Sequence, residues 1–230
     1  MRETGRRDGA SPAEGLRAVG ARVVRHASLL PAAGVVLLLT SPAGGLELLA
    51  SSPDLGRSLG AAEVQLGSGP CWTAFRLGSP VGPVSEKEMT HRWPQFAAAG
   101  TALGVRSVYA APLIAGGERV GVLVLYLTDD GGLDRQGRSL ALAMADLAAT
   151  ALHSTRRAAA EEERTRQLQH ALGARVTIEQ AKGMLMATAG WSPQAAFTAM
   201  RQYARHHRVK VVDVARDVTS RNLTFLDLFR

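Results

Sequence analysis

Hydrophobic and polar positions recur along this chain with two different periods, and the change of period marks out its elements. Over residues 120–128, Val122, Val124 and Tyr126 alternate with Leu123, Leu125 and Leu127. Both faces of that extended stretch are apolar, which predicts a central strand buried on both sides. Residues 106–114 precede it across Gly116-Gly117, the spacing of a hairpin. Gly34–Thr40 and Leu46–Ser51 predict a second hairpin around residues 41–45, and residues 80–85 a short extended piece. Helical spacing appears elsewhere. Ser11-Pro12 opens an amphipathic helix with Leu16, Val19, Val23 and Leu30 inside. The breaker at residues 67–70 leads into a helical turn over 71–77. Residues 93–103 form a helix with Trp93, Phe96 and Ala97 or Gly100 facing in. A further helix begins near Asp134 and runs to about Thr155, with Leu140, Met144, Leu147 and Ala151 as its inner face and Leu152 beside them.

Beyond residue 167 the period stays helical. Ala174, Ile178, Ala181 and Leu185 recur as one apolar seam, with Arg175, Glu179 and Lys182 on an adjacent polar face. Ala189-Gly190 ends this helix, and Ser192-Pro193 opens the next with Ser192 as N-cap. The second helix buries Ala196, Phe197, Met200 and Ala204. Its outer face carries Gln194, Thr198, Arg201, Arg205 and Arg208, a basic stripe. A third, short helix uses Val211, Val214, Ala215 and Val218. Three helices too short to stand alone share one small core. The fold class is therefore α+β: hairpin strands with helices at the start, middle and end of a front domain, then a helical module.

Charge separates the two ends. Residues 1–163 carry sixteen basic and sixteen acidic side chains, residues 164–230 eleven basic against four acidic, so the whole formal net charge of +7 lies in the last third. That layout fits a regulator whose tail meets phosphates. It fits equally a solvated basic face on an ordinary helical module. Enzymatic chemistry is not expected. One cysteine and scattered His26, His91, His153 and His170 make no zinc cluster. Asp129-Asp130-Gly131-Gly132 reads as a turn, and Gly116-Gly117 lacks the Gly-Lys-Ser/Thr of a phosphate loop. No nucleophile stands beside a base. The apolar run over residues 27–39 is interrupted by Pro31 and Gly34 and is shorter than the roughly 20 residues of a membrane span. With a single cysteine and no export signal around Arg2, Arg6 and Arg7, the expected location is the reducing cytoplasm.

Particular residues carry two family resemblances. Leu66-Gly-Ser-Gly-Pro-Cys71, Trp93-Pro-Gln-Phe96, Gly104-Val-Arg-Ser-Val108 leading to Ala111-Pro-Leu113, and Gly121-Val-Leu-Val-Leu-Tyr126 resemble a GAF domain. The resemblance implies a sensory module, an antiparallel sheet covered by helices, that binds a small molecule or only dimerises. Near its pocket would stand Cys71, Trp72, Phe75, Val84, Trp93 and Phe96; the other reading makes these six ordinary core. Cys71 invites a redox or haem role, yet a lone buried cysteine is usually a small hydrophobe, and a methionine sulfoxide reductase on this fold would need a second cysteine. No ligand or cofactor is named by the sequence.

Ala171-Leu-Gly-Ala-Arg175, Val176-Thr-Ile-Glu-Gln-Ala-Lys-Gly-Met-Leu-Met186, Ser192-Pro-Gln-Ala-Ala-Phe197 and Asp213-Val-Ala215 resemble an ANTAR domain. That resemblance implies binding to paired RNA stem-loops of a nascent transcript, which prevents transcription termination. Guanidinium and ammonium groups on a helical face pair phosphates and meet unstacked loop bases. The candidates are Arg175, Lys182, Arg201 and Arg205, with Arg208 and Lys210 tracking the backbone. Met184 and Met186 read as packing at a core or dimer contact. DNA recognition by the second helix, or a tail that only dimerises, stays open on physics alone.

The expected organisation is a disordered N-terminus (1–10), a GAF sensor (11–155), a helical linker (156–167), an ANTAR domain (168–222) and an apolar tail (223–230). The tail caps the three-helix core or covers its basic face. The linker seam of Leu147, Ala151, Ser154, Ala158, Glu161, Thr165 and Leu168 is weakly apolar, and the chain is expected to be a homodimer whose long helix transmits changes in the sensor.

Overall fold

The computed structural model describes residues 11–41 and 43–229. The chain divides into two compact units, Met1–Ala159 and Ala160–Arg230. The expected disordered segment 1–10 lies outside the described residues.

In the first unit a five-stranded antiparallel sheet has the order β2-β1-β5-β4-β3. Its strands are β1 (Gly34–Thr40), β2 (Leu46–Ser51), β3 (Val81–Ser85), β4 (Ser107–Ala115) and β5 (Glu118–Leu127). β5 sits in the middle, as its two apolar faces require, paired with β1 from Gly34↔Tyr126 to Leu39↔Gly121 and with β4 from Ser107↔Leu127 onward. The alternation of side chains sorts the core into two clusters. Leu37, Leu39, Leu123, Leu125 and Leu127 pack beneath α1 (Pro12–Ala27) and the start of α6 (Arg135–Ala189). Val36, Leu38, Val122, Val124 and Tyr126 pack beneath α2 (Leu55–Leu66), α3 (Pro70–Leu77), α4 (Glu86–Arg92) and α5 (Pro94–Ala102). A one-residue slip of β5 would exchange the two sets.

Ser11 caps α1 with a full capping box: its side chain accepts from the Glu14 N–H, and Glu14 accepts from the Ser11 N–H. Two helices were not expected from the sequence, α2 and α4. α4 follows Ser85, whose hydroxyl oxygen accepts from the Glu88 N–H. A third difference concerns α6, one helix of 55 residues through the final sensor helix, the linker stretch and the first helix of the C-terminal module. Its inner face in the first unit is Ala141, Ala145, Ala148, Ala149 and Leu152. The expected inner face of Leu140, Met144, Leu147 and Ala151 is turned aside: Leu140 and Leu147 are exposed, and Met144 and Ala151 are half-buried. Alanines let the helix backbone approach the sheet closely, so the small seam is buried in preference to the larger one. Arg156 anchors this stretch, its Nη1 donating to Thr40 Oγ1 and its Nη2 to Thr40 O.

In the second unit the last part of α6 packs with α7 (Pro193–His207), α8 (Val211–Thr219) and a 3-10 turn, Asp227–Phe229. The expected seams form its core: Ala181, Leu185, Ala196, Met200, Ala204, Val214, Ala215 and Val218 are buried. Gly190 ends α6 with φ 67°, and the Ser192 hydroxyl oxygen accepts from the Ala195 N–H at the start of α7. The tail caps this core. Leu228 is buried in it, Leu223 and Phe225 pack against it, and Trp191 meets Phe225 edge-on at 6.4 Å.

One polar group is enclosed in the first unit. Glu63 projects from α2 at the apolar position shared with Gly56, Leu59 and Gly60, and is fully buried. Its Oε1 accepts from the Cys71 N–H at 2.9 Å and its Oε2 from the Tyr126 O–H at 2.8 Å, while its backbone carbonyl accepts from Trp72 Nε1–H at 2.8 Å. α3 begins after Gly69, which has no side chain to cap it, so a carboxyl from a neighbouring helix serves instead. A Cβ on Gly69 would lie 2.6 Å from Glu63 Oε1, and its φ of 139° is strained for any other residue. Burial raises the Glu63 carboxyl from 4.5 to about 7, against hydrogen bonds that lower it.

The folded protein therefore holds this proton more tightly than the unfolded chain does. Stability from Glu63 is fully present below pH 4.5 and is lost as the pH rises to about 7, in total by roughly 3 kcal/mol. Thermal unfolding between about pH 5 and about pH 8 is expected to show this decline, and Glu63→Gln, which keeps an acceptor for Cys71, to flatten it. An equal slope in the variant would show that other groups carry it.

Candidate nucleic-acid interface

Residues 164–230, which make up most of the second unit, carry eleven basic against four acidic side chains, and the elements there decide which cations are free. Arg201 and Arg205 stand on the exposed side of α7, one turn apart, on the same face as Gln194 and Thr198. That face is fixed by burial of Ala196, Met200 and Ala204 on the opposite side. Arg201 lies with its guanidinium carbon 5.9 Å from the Phe197 ring centroid. Arg208 follows at the helix end, in the left-handed region with φ 55°, and the Val209 N–H returns to Ala204 O at 3.0 Å. Lys210 precedes α8 in an extended conformation. These four cations thus run consecutively along α7 and its connection to α8, all exposed.

Arg175 and Lys182 stand two turns apart on α6. Arg175 is exposed, whereas Lys182 is largely covered, its side chain 19% exposed and its Nζ paired to Glu179 Oε2 at 2.8 Å. Among the described residues, Arg175, Arg201, Arg205, Arg208 and Lys210 make no ion pair, while Arg216 is paired with Asp213 at 2.9 Å. Five of the six candidates are therefore available to an external anion, and the sixth must first leave a carboxylate.

A second exposed feature lies on the same unit. At about 100° per residue, Leu168, Leu172, Val176, Gly183 and Met186 fall within one arc of α6, roughly opposite Ala181 and Leu185. Leu168 and Leu172 are 66% and 64% exposed, and a Cβ at Gly183 would meet nothing within 4 Å.

In the first unit the six candidate pocket residues are brought together, as packed core. Cys71, Val84 and Phe96 are buried beneath α2–α5 with Trp93 beside them, and Trp72 and Phe75 lie at the margin. Phe96 meets Tyr126 at 6.2 Å, and Arg92 covers the Trp93 ring at 4.3 Å. Burial, followed by the charge of Glu63, pushes the Cys71 thiol far above its ordinary value, so the nucleophilic thiolate is disfavoured. Burial and Glu63 likewise raise the Tyr126 hydroxyl. Sequence reasoning missed Glu63, although a carboxylate on an otherwise apolar Gly56–Leu59–Gly60 seam was the available signal.

Comparison with known proteins agrees with this division. A GAF domain model matches residues 13–153, and an ANTAR domain model matches residues 166–218. No curated protein matches the sequence. Among solved structures, the first unit is similar to the type II free methionine-R-sulfoxide reductase from Thermoplasma acidophilum, at 17% identity and a TM-score of 0.50, covering 63% of this chain and 97% of that one. It is also similar to the GAF domain region of a protein from Geobacter sulfurreducens PCA, at 18% identity and a TM-score of 0.50, covering 60% and 93%. At such identities the likeness shows the fold alone. With well over half of its length matched, the chain belongs to the GAF domain family and carries an ANTAR domain behind its GAF domain.

Proposed function

We propose that this protein is an RNA-binding transcription antiterminator, acting in the cytoplasm as a homodimer, with the GAF domain as its sensor. The observation that carries the reading is the set of exposed, unpaired cations on the unit that matches the ANTAR domain. Arg201 and Arg205 take loop bases and adjacent phosphates of a stem-loop. Arg175, Arg208 and Lys210 neutralise backbone, and Lys182 joins by exchanging Glu179 for a phosphate. Guanidinium planes suit both partners, since they stack as well as hydrogen-bond. The domain division of the reading is a sensor over 11–155, a linker over 156–167, the RNA-binding domain over 168–222 and a capping tail over 223–230. In the homodimer the exposed stripe of Leu168, Leu172 and Val176 pairs with its copy, since water-exposed leucines spaced at helical intervals gain by burial. Whether a small molecule occupies the sensor is tested by native mass spectrometry of purified protein.

Gel shifts with a two-hairpin RNA, the same RNA with scrambled loops, and duplex DNA discriminate the readings. Arg201→Ala with Arg205→Ala is expected to weaken hairpin binding by about 1–3 kcal/mol per residue and to flatten the salt dependence. Equal affinity for duplex DNA would instead make α7 a DNA recognition helix, and binding to neither would leave the tail a dimerisation device. Arg208→Gly removes a non-glycine residue from the left-handed region, so it is expected to raise the stability of this unit by up to about 1 kcal/mol while lowering RNA affinity. Leu168→Lys with Leu172→Lys is expected to turn the dimer into a monomer in sedimentation; an unchanged mass would place the dimer contact elsewhere.

A further inference from the structure

A second cationic feature lies on the first unit and has no part in the RNA reading. Along the outer side of β2, the edge strand of the sheet, runs a cleft of about 630 Å³ walled by α1 on one side and the start of α2 on the other. Arg17 and Arg25 stand two turns apart on one face of α1, with Ala21 between them leaving room, and Arg57 stands opposite on α2. Its lining holds three arginines and no acidic residue. Among the described residues the guanidinium groups of these three make no hydrogen bond or ion pair, as is also true of Arg22, Arg76, Arg135, Arg138 and Arg157, whereas Arg92, Arg106, Arg119 and Arg156 of the same unit donate to carboxylates or carbonyls.

The floor supplies the rest of a recognition site. Ser51 and Ser52 lie where β2 ends, and Ser52 is held in place by β1: its N–H donates to Val35 O at 2.8 Å, and its hydroxyl oxygen accepts from the Val35 N–H at 3.0 Å. Val24, Leu48 and Pro53 give the cleft apolar walls. Leu49 has no partner on β1, because the β1–β2 register shifts between Leu37 and Leu38. A concave site with apolar walls and a few convergent polar groups suits a small molecule. Converging guanidinium groups without carboxylates select an anion, and guanidinium geometry matches phosphate.

We propose that this sheet-edge cleft binds a phosphate-bearing small molecule, with Arg17, Arg25 and Arg57 as its anion-pairing groups. Charge complementarity carries the assignment: the unit has sixteen basic against thirteen acidic side chains, and three arginines without a side-chain partner line one concave surface that holds no acidic residue. The occupant spans two anionic groups, because Arg17 and Arg25 leave α1 about two helical turns apart, roughly 12 Å along the axis at the backbone. Packed side chains fill the interior beneath α2–α5, so the sheet-edge cleft is a place where the sensor can take up a ligand without repacking its core.

The test uses the full chain and inorganic tripolyphosphate as probe, followed by calorimetric titration. Three proteins are compared: the natural chain, Arg17→Gln with Arg25→Gln and Arg57→Gln, and Arg201→Ala with Arg205→Ala. The cleft variant is expected to bind at least about tenfold more weakly, while the tail variant stays within about twofold of the natural chain. Arg57→Glu alone serves as a second variant if the triple one fails to unfold cooperatively, and is expected to weaken binding about fivefold or more. Amide signals of Ser51, Ser52 and Arg57 are expected to move on titration. Absence of binding to the natural chain, unchanged binding in the cleft variant, or loss confined to the tail variant would each overturn the assignment. So would a cleft variant that loses hairpin RNA while retaining tripolyphosphate, since the cleft would then serve nucleic-acid backbone. Failure of the RNA reading leaves this result untouched, because the two sets of variants are read separately.

Discussion

A strand that is apolar on both faces has to be covered twice, and the first unit is built to meet that constraint. β5 and its neighbours β1 and β4 expose leucine and valine on each side, so a helical layer is needed above and below. α1 and α6 supply one layer, α2 to α5 the other. The two layers are different in kind. Alanines of α6 bring a long helix close to one face, while short helices with aromatic residues tile the opposite face.

Tiling with short helices creates the internal demand that Glu63 meets. A helix that starts at Gly69-Pro70 has no side chain of its own to satisfy its first N–H groups, and a buried unpaired donor costs about 1–3 kcal/mol. The carboxyl of Glu63 satisfies Cys71 and also binds the Tyr126 hydroxyl on the central strand. Closure of this layer disfavours thiolate chemistry here: Cys71 is a packed apolar side chain with its proton held. The same closure leaves the accessible cationic cleft at the sheet edge as the first unit's route to an anion.

In the second unit the constraint is size. The end of α6 and two short helices bury a strip of alanines, valines and Met200, and the tail adds Leu223, Phe225 and Leu228 to complete the core. So small a core leaves most of the surface polar, and the arginines on it have few acids to pair with. Lys182, Arg216 and Arg166 find Glu179, Asp213 and Glu163, while Arg175, Arg201, Arg205, Arg208 and Lys210 face solvent. The free cations of α7 and its connection to α8 stand on other elements than the exposed leucine stripe of α6, whereas Arg175, three residues after Leu172, lies beside that stripe.

Much of this was legible in the sequence. Hairpin spacing placed β1, β2, β4 and β5, apolar residues on both faces marked β5 as central, and the three seams of the C-terminal module came directly from helical spacing, because each of those helices buries a single face whose period is a property of the backbone. Arg201 and Arg205 were legible as a solvent-facing pair for the same reason. α2 and α4 were missed: α2 is interrupted by glycines and by Glu63, and α4 has only Met89 buried, although Ser85 and Glu88 spelled its cap. The inner face of α6 was misread because both candidate stripes are apolar, and only contact with the sheet decides for alanine over leucine. Lys182 with Glu179 and Arg216 with Asp213 are pairs three residues apart on one helix, whereas where the tail packs and what Glu63 touches depend on residues far apart in the chain. The sequence by itself determined periodicity and charge, which are local; the tertiary structure alone decided long-range partnership, because a distant partner is chosen by its position in space.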